Sequence, residues 1–286
     1  MENSKKDISV NPLAKHFRQA SIHMKLPSNG KFWPENTLDM PITNQIPILP
    51  MTAKDEIILR TPDALMNGSS VVEVIHSCCP AIKDAWKMPS IDVDPVLIAI
   101  RIASYGHEMN IDTKCPTCSE DNTHVVDLRV VLSNIVAPDY EKKISVDGLL
   151  IKLKPQAFFG VNRQNIIAFE EERLMGAFND DSLSKEEKSV KIAKSMDILV
   201  NIGIDTVAGS TDYIETSDGI KVESTEHIVD FYKNANGAIM RSIQDLLGEY
   251  NTIGKLKPQK VACLPCKAEY EVPLDFDYSN FFDVGS

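Results

Sequence analysis

The amino-acid sequence predicts an α+β fold in which packs of helices alternate with short β-hairpins. Asp-Gly turns at residues 147–148 and 218–219 each lie between short apolar segments, a pattern typical of hairpin strands. Capped segments with a helical period surround them and lack the regular rhythm of an open parallel sheet. Two distant Cys-x-x-Cys pairs further predict a split zinc ribbon closed by two knuckles.

The composition is that of a folded, acidic protein. Its 286 residues suffice for one large domain or two ordinary ones, and an apolar fraction of 43% supports a hydrophobic core. The net charge of −11 argues against nucleic acid as a partner, because phosphate binding draws on clustered Lys and Arg. We expect no membrane partner, since no apolar run could cross a bilayer. The polar N-terminus lacks a signal peptide, which predicts a reducing, cytoplasmic setting.

We divide the chain into four segments. Residues 1–20 are polar and aperiodic, which indicates a flexible N-terminal arm. Residues 21–142 are predicted to form an N-terminal α+β domain with the first cysteine pair. Residues 143–258 should form a mainly helical α+β insert, because a disordered segment of that length is improbable inside a compact protein. Residues 259–286 hold the second pair and an aromatic C-terminal tail.

The N-terminal domain begins with strand signals and continues with helix starts. Extended runs at residues 22–26 and 45–49 predict a strand pair. Thr52 with Asp55 three residues later predicts a capped helix that stops before Thr61. Thr61-Pro62-Asp63 then predicts a second start, because proline is favoured at the first helical position.

Two further helices follow in this domain. One begins at Ser69 or Ser70 and is closed by Pro80; within it, Cys78 and Cys79 are interpreted as small buried hydrophobes. His76 is interpreted as a packed helix residue. Residues 94–103 are almost wholly apolar after Asp94, the predicted cap, and predict the central core helix.

The insert is predicted to contain two hairpins and four helices. Its long first helix has apolar residues at a helical period, and the next begins at a capped Ser184. In chain order the predicted elements are a hairpin at 143–146 and 149–153, helices at 156–178 and 184–202, a hairpin at 212–215 and 220–223, and helices at 225–235 and 237–250.

The candidate metal ligands are Cys115, Cys118, Cys263 and Cys266. Each pair is a knuckle in which two cysteines three apart point at one ion, with a proline fixing the turn. Residues 119–262 lie between the pairs. Closing a loop of that length costs about 4 kcal/mol, whereas a structural zinc returns roughly 10 to 16 kcal/mol. We therefore predict one structural Zn²⁺ held by all four thiolates.

Other interpretations of these cysteines stay open. Disulfides, a redox dithiol and inert thiols are each compatible with the pattern, although the reducing compartment and the missing βαβ setting favour zinc. A catalytic zinc would need an open coordination position, which four cysteines do not leave. His124 could replace a sulfur, but as a strand residue it is interpreted as exposed.

No catalytic motif is found in the sequence. Glu170-Glu171-Glu172 is interpreted as a solvated surface, because consecutive helix residues point about 100° apart. Asp92 with Asp94, and Asp180-Asp181, are interpreted as loop and cap residues. We therefore predict that the protein is not an enzyme.

The C-terminal tail is rich in aromatic residues. Phe276, Tyr278 and Phe282 either pack onto the protein's own zinc ribbon or dock on a partner protein.

A resemblance to a known family is carried by residues 26–34, 51–56, 60–68, 98–106 and 169–173, by both knuckles and by the closing residues 279–282. It is densest between residues 26 and 118 and weakest from about 180 to 255. These segments resemble the baseplate hub and hub-assembly proteins of T4-type contractile-tailed bacteriophages.

The resemblance implies a non-enzymatic tail protein, made in the host cytoplasm and needed to build the central hub of the baseplate. Its partners would be other hub, tube-initiator or tape-measure proteins. Whether it remains in the virion is left open, and neither the insert nor zinc is implied, because the T4 member is shorter.

Three hypotheses follow for the function. The first is a zinc-stabilised structural or assembly component of the hub, with a non-virion tail-assembly chaperone as its variant. The second is a cytoplasmic zinc-ribbon adaptor that binds nucleic acid, and the third is a thiol oxidoreductase.

Overall fold

A computed structural model describes residues 11–60, 68–177, 185–274 and 281–282. It confirms a mixed helix and sheet architecture. The predicted helix start at Thr61-Pro62-Asp63, the cap Ser184, the acids Asp180-Asp181 and the tail residues Phe276 and Tyr278 lie outside the described residues, as do residues 1–10 of the arm.

The N-terminal part contains the predicted strand pair and capped helix. Strands β1 (Ile22–Met24) and β2 (Ile46–Ile48) pair antiparallel. Helix α1 (Ala53–Leu59) begins with a reciprocal capping box between Thr52 and Asp55, which satisfies two backbone donors that would otherwise lack partners.

Helix α2 (Ser69–Cys78) and helix α3 (Ser90–Tyr105) correspond to the next two predicted helices, but α3, the predicted central core helix, begins four residues before the predicted cap Asp94. Hydrogen bonds from Ser90 N–H to the Gln156 carbonyl and from Phe158 N–H to the Met88 carbonyl fix the chain just before α3, each 2.8 Å long. These contacts come from the insert, so they were not visible in the local sequence.

Asp92 was wrongly interpreted as a loop or cap residue. It lies in the first turn of α3 and is fully buried. Its carboxylate accepts hydrogen bonds from Ser28 N–H (2.9 Å), the Ser28 hydroxyl (2.5 Å) and Trp33 Nε1–H (2.9 Å). Burial, the largest influence, raises the pKa of Asp92 to about 6 in spite of these three donors.

The first hydrophobic cluster surrounds α3 and α2, with Cys78 and Cys79 buried in it as predicted. Leu274, Phe281 and Phe282 from the end of the chain are part of this cluster, and the Arg101 guanidinium lies 5.5 Å from the centre of the Phe281 ring. Phe282 therefore packs on the N-terminal core. The expectation that it would pack on the zinc ribbon or dock on a partner was wrong.

The predicted N-terminal arm contacts the body of the protein near its end. The Arg18 guanidinium donates to the Pro50 carbonyl at 2.6 Å, the Ser77 carbonyl at 2.7 Å and the Asp55 carboxylate at 3.2 Å. The Arg18 side chain thus links α1 to the end of α2.

After α3 the chain forms strands β3 (Glu108–Lys114) and β4 (Asp121–Asp127), which pair antiparallel, and the short helix α4 (Leu128–Ser133). The insert then begins with the predicted hairpin of β5 (Lys143–Val146) and β6 (Leu149–Leu153). Its turn needs left-handed backbone at both central residues, Asp147 (φ 50°) and Gly148 (φ 76°), which these residue types tolerate.

The two predicted hairpins of the insert join into one sheet. Strands β7 (Thr211–Glu215) and β8 (Lys221–Val222) form the second hairpin, and β7 pairs antiparallel with β6 to give the order β5-β6-β7-β8. The sequence predicted each hairpin but not their union, since that pairing crosses two long helices.

Four helices of the insert were predicted, and their bounds differ mainly at one end. Helix α5 (Phe158–Ala177) packs along α6 (Lys185–Gly209), followed by α7 (Thr225–Asn234) and α8 (Gly237–Gly254). Helix α6 continues past the predicted end near Ile202, because Ile204, Val207 and Ala208 pack into the second hydrophobic cluster with β6, β7, α7 and α8. Within the described ranges, no helix has both the length and the apolar character needed to cross a bilayer.

Glu171 contradicts the interpretation of residues 170–172 as a solvated surface. Its side chain is only 6% exposed, whereas Glu170 and Glu172 are exposed. A count of charges could not foresee that one of three consecutive acids would be buried.

The last strands, β9 (Gln259–Ala262) and β10 (Glu269–Val272), pair antiparallel. They and the β3–β4 pair remain two separate two-stranded sheets. The structure thus gives two separate hairpins, and the split zinc ribbon and the division into domains stay predictions.

Candidate metal centre

All four predicted ligands come together in one cluster. The sulfur atoms of Cys115, Cys118, Cys263 and Cys266 lie within 4.8 Å of one another. The first pair occupies the turn between β3 and β4, and the second occupies the turn between β9 and β10. Among the described residues, this is the one group of three or more His, Cys, Asp or Glu side chains that could hold a metal ion.

The distances between the sulfurs fit a tetrahedral metal site. Cys115 Sγ lies 3.7 Å from Cys266 Sγ, and Cys118 Sγ lies 3.5 Å from Cys263 Sγ. Four sulfurs at zinc bond lengths of about 2.3 Å from a common centre would be about 3.8 Å apart. A disulfide needs about 2.05 Å between its sulfurs, so these contacts are not disulfides.

The two knuckles have the same backbone conformation. The first cysteine of each donates its N–H to the carbonyl five residues later: Cys115 to Glu120, and Cys263 to Ala268, both at 2.9 Å. The residue after the second cysteine has a left-handed backbone in both: Ser119 (φ 60°) and Lys267 (φ 61°). This repetition brings both sulfur pairs to equivalent positions.

The inner and outer sulfurs differ in exposure. Cys115 and Cys263 are buried, Cys118 is half-buried and Cys266 is exposed. A metal ion bound here would have two ligands facing the junction of the hairpins and two toward solvent. Four sulfur ligands complete a tetrahedron and leave no position for a substrate or a reactive water, which fits a structural site.

The thiols of the first knuckle titrate very differently. The backbone N–H of Cys118 lowers the pKa of the Cys115 thiol to about 6. The backbone N–H of Glu120 lowers the pKa of the Cys118 thiol, but burial and hydrogen bonds with the neighbouring thiols outweigh it and raise that pKa to about 12. Four thiolates at this distance repel one another, so only a bound cation would allow all of them to ionise.

Asn122 joins the two knuckles and was missed in the sequence. This buried side chain on β4 donates from Nδ2 to Cys263 Sγ at 3.5 Å and to the Glu120 carbonyl at 2.9 Å. Its Oδ1 accepts the Leu264 N–H at 2.8 Å. No pattern in the sequence distinguishes this asparagine from a surface one, because its partners in the second knuckle are more than 140 positions away.

Tyr270 provides a second link between the hairpins. Its hydroxyl lies 2.7 Å from Thr113 Oγ1 and 3.0 Å from His124 Nε2. His124 is therefore half-buried and hydrogen-bonded, not simply exposed as predicted, and it is not part of the sulfur cluster. His76 lies on α2, outside the sulfur cluster, and its Nε2 accepts the Ala85 N–H.

Comparison with known proteins identifies a family for this chain. No curated protein and no solved structure is significantly similar to the chain. The family described as T4 bacteriophage base plate protein matches residues 19–283, a span that includes both knuckles and the insert. Since that match covers nearly the whole sequence, this chain belongs to the T4 bacteriophage base plate protein family.

Proposed function

We propose that this protein is a structural component of the central hub of a contractile phage baseplate, held in shape by a Zn²⁺ ion on Cys115, Cys118, Cys263 and Cys266. Family membership supports a structural part of the phage baseplate. The hub position and the zinc are our own extension of it. We further propose that the protein is made in the host cytoplasm, is not an enzyme, and binds other hub, tube-initiator or tape-measure proteins.

The position of the sulfur cluster in the chain carries the proposal. Strand β3 follows directly after α3 of the first hydrophobic cluster, whereas β9 follows α8 of the second. After β10 the chain returns to the first cluster at Leu274 and Phe281. A metal at this point would tie the hairpin between α3 and α4 of the first cluster to the hairpin through which the chain returns from the second cluster to the first.

Metal analysis tests the zinc site. The purified full chain should contain one tightly held zinc, measured by mass spectrometry of the metal. Cys115→Ser and Cys263→Ser should lose it, because each removes a thiolate ligand. Cys78→Ala, at a cysteine buried in the first cluster, is the control and should keep it. A wild-type chain that binds no zinc would contradict the site.

Infection tests the hub role. A phage lacking this gene should fail to assemble normal baseplates, and the tagged protein should co-purify with other tail proteins. A Cys263→Ser gene should complement the deletion poorly, whereas a Cys78→Ala gene should complement it well. Normal baseplates in the deletion would refute the proposal. Virions that lack the protein while their assembly depends on it would assign it to the assembly-chaperone alternative.

A further inference from the structure

The two knuckles are joined by side-chain contacts that do not involve a metal. Asn122 on the first hairpin contacts two groups of the second knuckle, the Cys263 sulfur and the Leu264 N–H. Its third hydrogen bond, to the Glu120 carbonyl, fixes the amide within its own knuckle. Both polar atoms of this 4%-exposed side chain are thus used, and both reach the second knuckle.

These contacts hold the Cys263 sulfur and the backbone beside it. An amide N–H donates and cannot accept, so the Cys263 sulfur is the acceptor in the Nδ2 contact. Cys263 is fully buried. The carbonyl oxygen of the same amide meanwhile holds the backbone at the residue after Cys263.

We propose that Asn122 is a positioning residue for the metal: it preassembles the two knuckles in the metal-free chain by holding the Cys263 sulfur and the Leu264 backbone against the first hairpin. This inference rests on the proposed zinc site and adds to it a residue that is not a ligand. The metal then binds to a site whose halves are already docked, so less ordering accompanies binding. Outer-shell partners of this kind change metal affinity by about 10- to 100-fold when they are replaced.

Metal affinity of the full chain is the first test. Zinc binding is measured by competition with a chromophoric chelator, and Co²⁺ serves as a spectroscopic probe of the thiolate ligands. Asn122→Ala should weaken zinc binding by about 10- to 100-fold and shift the sulfur-to-cobalt charge-transfer bands. Asn122→Asp should weaken it further, because a carboxylate would face the thiolate and repel it.

Asn110→Ala is the matched control. Asn110 lies on β3 of the same hairpin, is exposed, and pairs with Val125 away from the sulfurs. It should leave the zinc affinity and the cobalt spectrum unchanged. Equal zinc affinities of the wild type, Asn122→Ala and Asn110→Ala would overturn the inference while leaving the zinc site intact. A wild type without zinc would instead overturn the proposed site itself.

Hydrogen exchange tests preassembly without metal. In the metal-free wild type the Leu264 amide should be protected, because it donates to Asn122 Oδ1. In metal-free Asn122→Ala this amide should exchange at least about tenfold faster, while the Cys115 amide, bonded to the Glu120 carbonyl, should change little. A Leu264 amide that exchanges equally fast in both chains would overturn preassembly.

Discussion

The two hydrophobic clusters differ in how completely they cover their longest apolar helix. On α3 of the first cluster, Val96, Ile98 and Ile100 are fully buried. On α6, which leads into the second cluster, Val190 is 71% exposed and Val200 is 60% exposed. Both segments are predicted as helices from the sequence. The difference teaches that local sequence signals predict a helix, whereas the surrounding elements decide how much of its apolar surface is covered.

Removal of the metal should cause the largest loss of stability and should separate the unfolding of the two clusters. A structural zinc site contributes roughly 10 to 16 kcal/mol of apparent binding free energy in small metal-binding peptides. Calorimetry of Cys263→Ser, or of the chelated wild type, should show a much lower melting temperature and separate transitions for the two clusters. One unchanged transition would contradict a stabilising metal between them.

Truncation of matched leucines should distinguish the two helices directly. Leu97 on α3 is 1% exposed, whereas Leu199 on α6 is 37% exposed. Leu97→Ala should therefore lower the free energy of unfolding by about 2 to 5 kcal/mol, because it leaves a cavity in the core. Leu199→Ala should cost less than about 1 kcal/mol. Equal losses of unfolding free energy for the two variants, measured in denaturant titrations of dilute protein, would contradict the difference in burial between the two helices.

Asp92 in the first cluster should make the free energy of unfolding depend on pH. Burial raises its pKa from an unfolded value of about 4 to about 6, so the folded chain binds this proton more tightly. Protonation of Asp92 therefore stabilises the folded chain below about pH 4. This contribution to the free energy of unfolding, up to about 3 kcal/mol, is lost as the pH rises through about 6.

Asp92→Asn removes this titration and supplies the comparison. The free energy of unfolding of the wild type minus that of the variant should fall between pH 4 and pH 7 in denaturant titrations. Parallel curves for the two proteins would mean that Asp92 keeps its ordinary pKa when folded.

Substitution of helix caps should cause the smallest losses of stability. Thr52 caps α1 in the first region, and Asn236 caps α8 in the second by accepting from the Ala238 and Ile239 N–H groups. Thr52→Ala and Asn236→Ala should each cost about 1 kcal/mol. If the metal makes the clusters one unit, both variants should lower the same melting transition. In metal-free protein each should lower only the transition of its own region.

Much of the local structure could be predicted from the sequence. The capping box at Thr52, the Asp-Gly hairpin at residues 147–148 and the two cysteine knuckles depend on residues within a few positions of one another. Side-chain chemistry and backbone preference therefore specify them locally. The wrong interpretations of Asp92, Glu171 and Phe282 have the opposite origin, since each is buried by elements distant in the chain.

The sequence by itself determined the α+β class, the positions of the hairpins and most helices, and the four sulfurs, because turn geometry, caps and the Cys-x-x-Cys spacing act over short distances. Tertiary structure alone decided that β6 pairs with β7, that the chain end packs on the first cluster, and that Asn122 contacts Cys263. These contacts join residues far apart in sequence, and their free energy comes from burial and pairing that exist only once the chain has folded.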